Sequence, residues 1–392
     1  MKIKILNDDG TINIHNTDTL TQNNIEEEIT FVNSSSKEKN AINIIKAYKT
    51  NKKIILYDDT NKMLSKKLDD LNLDIFKNKD FSMMFFTSGS TGNPIGALKT
   101  LYNLEEEIKV FTKLVKQYNI KQVIVTVPFI HIYGTLIGLI YPLLNDLDII
   151  LKEHFLPNNL LNTIEDNSLI VTTPLYIKSL NKISQNKDLK SSLFISSTAP
   201  LNIDDSKEFL NKFNTNIIQL FGSTETSGIA YKKNVEELWT PLDKVTVSTN
   251  FENELKIKSP FVSNILFENK FINTNGEIQT FDYIEIEKKQ FKLIGRSSKI
   301  FKIAGKRYST IQIENTLEEV EEIKKALVFV ENNDDKLRDE ILNITLESKK
   351  EFSSQEIKKI LKEKISNLKF SLKLNYVDKI ATNSIGKKLK II

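Results

Sequence analysis

The sequence predicts an α/β protein: a large domain built on a parallel sheet, followed by a small α+β domain. Three observations predict it. Strand-like and helical stretches alternate up to about residue 240, and three of the strand-like runs end in small polar residues. Beyond that point the texture turns to short alternating strands, and a new unit begins near Ser297. The boundary is therefore expected at 296/297, with 1–296 as the large domain and 297–392 as the small one.

Taken in order, "KKIILYD" reads as a strand, and "SMMFFTS" as an apolar strand entering a run of small residues. "LYNLEEEIKVFTKLVKQYN" is a helix, with Leu104, Ile108, Phe111, Leu114 and Val115 at helical spacing. Val123 to Leu144 carries no formal charge and is long enough to span a bilayer, but two prolines, a histidine and internal glycine argue against one helix. It divides better into a strand, "QVIVTV", a Pro-marked loop and a buried helix beginning near Tyr133, so no membrane span is expected. "SLIVTTP", "SLFISSTAP" and "NIIQLFGST" are the three strands with polar ends, which suggests a ligand cleft along those ends. "ELKIKS" and "FDYIEIEKKQFKLIG" are later strands. In the last portion, "SSQEIKKILKEKIS" is a helix opened by a Ser353/Glu356 capping box, flanked by strands at "KALVFV", "ILNITLES" and "LKLNYVD".

Composition excludes several functions. Lys plus Arg number 55 and Asp plus Glu 51, a net charge of +4 over 392 residues, too balanced for an electrostatic grip on nucleic acid. The chain has no cysteine, so disulfides, thiolate–zinc sites and a Cys nucleophile are excluded. "MKIKILNDDG" lacks the apolar core of a signal peptide, and the protein is expected to be cytoplasmic.

The run entered from "SMMFFTS" is "TSGSTGNP", where Thr87, Ser88, Gly89, Ser90, Thr91 and Gly92 bury almost no apolar area. Such a backbone is either a surface turn or a cradle whose N–H groups and hydroxyls close on a polyphosphate. It lacks the G-x-x-x-x-G-K-[ST] pattern of an ordinary nucleotide-triphosphatase loop. Downstream, "QLFGSTETSG" sets an aromatic, a hydroxyl and a carboxylate at a strand end, the parts for stacking, phosphate contact and a hard cation. Asp282, Arg296 and Lys387 each fit a dull role alone: a surface acid, a turn residue, a solvated basic tail.

Their order along the chain resembles the adenylate-forming superfamily of acyl- and aryl-CoA synthetases, luciferases and peptide-synthetase adenylation domains. "TSGSTGNP" resembles its phosphate loop, "SSTAPL" its adenine-side strand, "FGSTE" its aromatic-G-x-T-E motif and "TFD" its T-G-D motif. "GRSSKIFKIAGKR" resembles its hinge and "NSIGK" its catalytic-lysine loop. The resemblance implies that the loop holds ATP phosphates, with Ser197, Thr198, Ala199 and Pro200 beside the nucleotide. It implies that Phe221 stacks on adenine within Gly222 and Ser223, that Thr224 contacts the α-phosphate, and that Glu225 binds Mg²⁺. Asp282 and Arg296 would hold the ribose, and Lys387 would bridge carboxylate, ribose and α-phosphate. His131 of "PFIHIYG" matches the P-F-x-H motif beside the acyl site, or is a core histidine of an apolar segment. "HIYGTLIGLIYPLL", "FGSTETSGIAYKK", "LWTPL" and "KIAGKR" are most similar to the short ligases of aryl-polyene (xanthomonadin-type) pigment clusters.

The implied partners are a carboxylic acid, ATP and Mg²⁺, and a thiol from coenzyme A or the phosphopantetheine of an acyl carrier protein. The implied fold is a large N-terminal domain with an abbreviated first subdomain, and a small mobile C-terminal domain carrying Lys387. Three positions depart from the pattern: Ile95 where the loop has Lys, Phe281 where T-G-D has Gly, and Ser298 where the hinge has Asp or Lys. Lys99 is expected either to replace the missing loop lysine or to be a solvated helix residue. The rival of a different class is a degenerate nucleotide-binding protein without turnover.

Overall fold

Apolar runs of four or five residues, too short for buried helices, build the main sheets of the computed structural model, which describes residues 1–20, 28–86, 94–296, 300–303, 306–331, 341–364, 371–382 and 388. The chain divides into two compact units, Met1–Ser248 with Lys256–Ile278, and Thr249–Leu255 with Gln279–Ile392.

Among the described residues the first unit holds a nine-stranded sheet. Its spatial order is Thr240–Pro241, Ser227–Lys233, Asn216–Ser223, Leu193–Ser196, Ser168–Thr172, Gln122–Val125, Asp148–Leu151, Lys2–Leu6 and Ile12–Asn16. The neighbours from Asn216–Ser223 to Lys2–Leu6 are all parallel, and antiparallel strands close both edges. From Gln122–Val125 the chain passes first to Asp148–Leu151 on one side, then to Ser168–Thr172 on the other. That reversal opens a crevice at the carboxyl ends of these strands, where ligands bind in open α/β sheets. A second, six-stranded sheet runs Phe271–Asn273, Ile265–Phe267, Gly96–Lys99, Met83–Phe86, Lys53–Leu56, Ile29–Val32.

Side chains alternating along each strand sort into different cores. Val123 and Val125 face one cluster, which also holds Met83 and Phe85 of the second sheet; Ile124 faces another. The shared cluster is filled by helices Lys37–Lys49 and Leu101–Val115 and by the helical run Ile132–Leu144, packed between the two sheets. Helices Pro157–Thr163, Pro174–Asn181 and Ile203–Phe213 cover the far face of the large sheet. Phe76, Leu64 and Leu68 cover the far face of the small one, against Met84, Phe86 and Leu98. Strands buried on both faces are largely apolar, with polar residues such as Gln122, Ser168, Thr172 and Ser196 at their ends, which explains the apolar runs in the sequence. The charge-free Val123–Leu144 segment is a strand, a loop and a helical run, as expected, and no described helix is long and apolar enough to cross a membrane.

In the second unit, Ile323–Glu331, Ile341–Ser348 and Ser371–Tyr376 form a sheet, the first pair antiparallel and the second parallel. The parallel crossover is helix Ser354–Lys364, whose Ile357 and Leu361 face the core with Ile313 and Leu317 of helix Thr310–Glu318. Its capping box forms: Glu356 N–H donates to Ser353 Oγ (3.2 Å), and Ser353 N–H to Glu356 Oε2 (2.7 Å).

One buried charge ties the first helix to the strand ends. Glu153 accepts from Ser36 Oγ (2.7 Å) and from the free N–H of Lys37 (2.8 Å), compensating the helix N-terminus. Lys37 is 9 % exposed, and its Nζ donates to the carbonyls of Thr126 (2.9 Å) and Lys152 (3.2 Å), just past two parallel strands. Burial pushes this ammonium down to about 8, against the attraction of Glu153. Between that value and the ordinary 10.5, the unfolded chain still binds a proton that the folded chain has released, so stability rises with pH there. Relative to Lys37→Met, the native protein is expected to gain about 2 kcal/mol between pH 8 and 10. Urea midpoints of both proteins at the two pH values measure it. Parallel pH profiles would mean that the ammonium stays hydrated.

Candidate active site

Three of the strand ends singled out in the sequence lie side by side on the parallel sheet. Asn216–Ser223 carries Phe221 and Gly222, then turns through Thr224, Glu225 and Thr226 into Ser227–Lys233. The pairing shifts register at Phe221/Gly222, and a Cβ on Gly222 would stand 2.2 Å from the Ser227 carbonyl oxygen. Only glycine permits that approach. The turn is closed by reciprocal bonds, Ser223 N–H to Thr226 Oγ1 (3.1 Å) and Thr226 N–H to Ser223 Oγ (3.2 Å). Thr224 and Glu225 remain half-buried at its tip.

The neighbouring strand Leu193–Ser196 leads into Ser197–Pro200. Ser197 Oγ donates to the Leu220 carbonyl (2.9 Å), tying this loop to the strand that carries Phe221. Thr198, a β-branched residue, sits at φ +80°, and Thr198, Ala199 and Pro200 are exposed. Strain of that kind persists where the surrounding structure enforces it, commonly at ligand sites.

His131 follows the strand at the topological reversal and stands at the N-cap of Ile132–Thr135. Its Nε2 is buried with no hydrogen-bond partner among the described residues, and burial pushes the ring's pKa down, so it is neutral at pH 7. The neighbouring Tyr133 hydroxyl shares its one proton between the carbonyls of Ile195 (2.7 Å) and Thr172 (3.0 Å), bridging two strand ends.

Lys99 corrects an expectation. It lies in strand Gly96–Lys99, not in a helix, and is fully buried. Its Nζ donates to the carbonyls of Phe261 (2.8 Å) and Glu225 (3.0 Å), so its charge is enclosed beneath the Thr224–Thr226 turn and is not presented to a polyphosphate. Burial pushes this ammonium down and the nearby Glu107 carboxyl up.

The sequence profile of the AMP-binding enzyme family matches residues 17–263. The chain belongs to the AMP-binding enzyme family. VraA of Staphylococcus aureus (strain COL), provisionally named a long chain fatty acid-CoA ligase, is 25 % identical over 326 residues, 77 % of this chain and 68 % of that one. Among solved structures, o-succinylbenzoate CoA synthetase (MenE) from Bacillus subtilis with its acyl-adenylate intermediate superimposes with a TM-score of 0.80. The identity is 16 %, and 98 % of this chain and 93 % of that one are covered. ATP-bound MatB from Rhodopseudomonas palustris gives 0.75 at 14 % identity, with 98 % and 93 % covered. These likenesses show the adenylate-forming fold.

Within this AMP-binding enzyme, the first unit brings together Phe221 to Glu225 with Ser197 to Pro200 on adjacent strands, and sets His131 at the reversal point of the same sheet. Asp282 and Arg296, both in the second unit, are register partners across the hairpin of Glu277–Glu287 and Gln290–Arg296; Asp282 is 6 % exposed. Thr87 to Gly92, Ser298 and Lys387 lie outside the described residues. The next residue, Lys388, donates to Glu314 (3.0 Å), Glu318 (2.6 Å) and the Ala326 carbonyl (2.7 Å), so its charge is taken up inside the second unit.

A Mg²⁺ that arrives with nucleotide keeps phosphate and water ligands and takes one or two carboxylates from protein. The single half-buried Glu225 carboxylate fits that demand, and no cluster of three or more His, Cys, Asp or Glu side chains forms a metal cage among the described residues.

One site neighbour escaped the sequence reading. Trp239, the chain's one tryptophan, packs on Phe221 with ring centroids 5.4 Å apart, and Lys232 Nζ lies 5.0 Å from the Trp239 ring centroid. "LWTPL" was visible, but the contact joins residues across a hairpin and has no local signal. Trp239 makes the site optically addressable. Gly222→Ala is expected to lower Tm by several degrees through the Ser227 clash, as overpacking of about 1–3 kcal/mol does. ATP-induced change of Trp239 fluorescence should weaken at the same time. Unchanged melting and binding would show that the turn can move aside.

Proposed function

We propose that this protein is an AMP-forming acid–thiol ligase. A carboxylate attacks the α-phosphate of ATP and pyrophosphate leaves, giving an acyl-adenylate. A thiol, from coenzyme A or a carrier protein's phosphopantetheine, then attacks the acyl carbon and releases AMP. The observation that carries the reading is the convergence, in an AMP-binding enzyme, of the Phe221–Glu225 turn and the strained Ser197–Pro200 loop on adjacent strand ends. Phe221, backed by Trp239, offers adenine a stacking face. Thr224 offers the α-phosphate a hydroxyl and Glu225 offers Mg²⁺ a carboxylate; the metal neutralises phosphate charge when bound.

The remaining assignments follow the same reading. Thr87 to Gly92 wrap the β- and γ-phosphates, Asp282 and Arg296 hold the ribose, and Lys387 steadies the charge that develops between carboxylate and α-phosphate. The segment from 297 on acts as a mobile domain that brings Lys387 up only for adenylation. The loop's cation is missing at Ile95, and the enclosed Lys99 does not replace it. Lys387→Ala is therefore expected to slow ATP–pyrophosphate exchange by about 100- to 1000-fold, the scale of one preorganised donor, while thioester formation from supplied acyl-adenylate falls much less. Equal losses in both steps would refute the division of labour. Absence of exchange in the native protein with every acid tried would favour a nucleotide-binding protein without turnover.

His131, neutral and with an unpartnered ring nitrogen, is proposed to line the acyl-side wall together with Ile132 and Ile229. No acidic residue stands between Val123 and Leu144 to pair a substrate amine. The acid is proposed to be a neutral aryl or hydroxyacyl group, destined for coenzyme A or an acyl carrier protein, in line with the aryl-polyene resemblance. A second carboxylate there would be desolvated without a partner. Hydroxybenzoate- or cinnamate-like acids should support exchange better than acetate, succinate or any amino acid at equal concentration. A preference for an amino acid or a dicarboxylate would overturn this substrate class and leave the adenylation chemistry intact.

A further inference from the structure

Two buried ionisable residues of opposite kind, neither part of the motifs above, hold the Thr224–Glu225 turn from beneath. Lys99 is 0 % exposed and Glu107 7 % exposed. Lys99 Nζ donates to the Glu225 carbonyl at 3.0 Å, and the same oxygen accepts the Ser263 N–H at 3.0 Å. Its second bond, to the Phe261 carbonyl, anchors it to the segment that supplies Ser263. That segment is itself held by Asn103 Nδ2, which donates to the Pro260 carbonyl at 2.7 Å.

Glu107 grips the other side of the turn. Its Oε1 accepts the Gly228 N–H at 2.9 Å, and a Cβ on residue 228 would meet that oxygen at 2.8 Å. Glycine at 228 is what lets the carboxylate approach. Lys99 and Glu107 come from the strand and the helix that follow residues 87–92, so one short stretch of chain supplies both grips.

A buried pair of charges seldom stabilises a fold more than well-packed apolar residues of the same volume would. Its value here lies in where its hydrogen bonds go. We propose that Lys99 and Glu107 are positioning residues that fix the backbone at the Glu225 carbonyl and again at Gly228, where the chain leaves the turn, so that the Glu225 carboxylate is presented to nucleotide-bound Mg²⁺ without reorganisation. The proposal rests on the adenylation reading for the role of Glu225.

The test uses the full chain and a paired variant, Lys99→Met with Glu107→Gln. It removes both charges and the donor to Glu225, and leaves an amide oxygen for Gly228. Lys99→Met alone strands a buried carboxylate and is made only for comparison. If the paired variant keeps a native melting transition, hydrogen exchange at the Thr226 and Gly228 amides is expected to accelerate about tenfold or more, while amides of Ser168–Thr172 keep native protection. Mg²⁺ titrated against ATP-dependent Trp239 fluorescence should show half-saturation raised about tenfold, the worth of one charge-assisted hydrogen bond, with metal-free ATP affinity within about threefold of native.

Native exchange at the turn together with native Mg²⁺ half-saturation overturns the proposal. So does a uniform loss of protection across the sheet, which is the mark of a merely structural pair. If the paired variant does not fold, Lys99→Met and Glu107→Gln separately must each reproduce both local effects, or the proposal falls. A native protein that binds Mg²⁺–ATP but shows no pyrophosphate exchange defeats the adenylation reading and leaves the positioning result standing.

Discussion

The first unit depends on one constraint: its central parallel strands are dry on both faces. Helices cover the large sheet from both sides, so Val123, Ile124 and Val125 all lose their contact with water. Polar chemistry has no place along such strands. It is displaced to the carboxyl ends, where the backbone leaves the ladder and side chains meet solvent again. Phe221 to Glu225, Ser197 to Pro200 and His131 therefore share one rim, although as many as 94 positions separate them in sequence. The edge strands on either side are antiparallel and carry fewer buried residues.

A second theme is the use of lysine ammoniums as collectors of backbone carbonyls. Lys37 bonds to Thr126 and Lys152, Lys99 to Glu225 and Phe261, and Lys388 to Ala326. Lys212 bonds to the carbonyls of Asn181, the last residue of helix Pro174–Asn181, and of Ile183 just past it, where carbonyls lack helical partners. With no cysteine in the chain, these bonds are among the long-range ties that fix loops to the core. Each holds a peptide group without consuming a donor of the sheet ladder. The arrangement is costly for the lysine, as the lowered pKa values of Lys37 and Lys99 record, and it confines these charges to structural work.

That confinement sharpens the chemistry left at the rim. The rim residues Phe221 to Glu225 and Ser197 to Pro200 offer aromatic surface, hydroxyls and one half-buried carboxylate, while Lys99 beneath them is bonded to carbonyls and does not face phosphate. On the proposed reading, positive charge comes from the Mg²⁺ that arrives with nucleotide and from Arg296 and Lys387.

The sequence by itself determined the fold class, the order of the motifs and most of the elements, because short apolar runs buried on both faces leave an unmistakable pattern. Strands such as Gln122–Val125, Ser168–Thr172 and Leu193–Ser196, and the Ser353/Glu356 cap, depend on neighbours a few residues away and were legible there. Other features were decided only in three dimensions. Lys2–Leu6 joins the large sheet beside Asp148–Leu151, a pairing across more than 140 residues with no local signature. Lys99 follows a glycine-marked loop like any surface lysine, and nothing near it in sequence announces the carbonyls of Glu225 and Phe261. Trp239 reaches Phe221 only because the hairpin folds back on itself. Local propensity and periodicity are written in the chain; the partners of a buried polar atom are set by which distant segments the packed core brings to it.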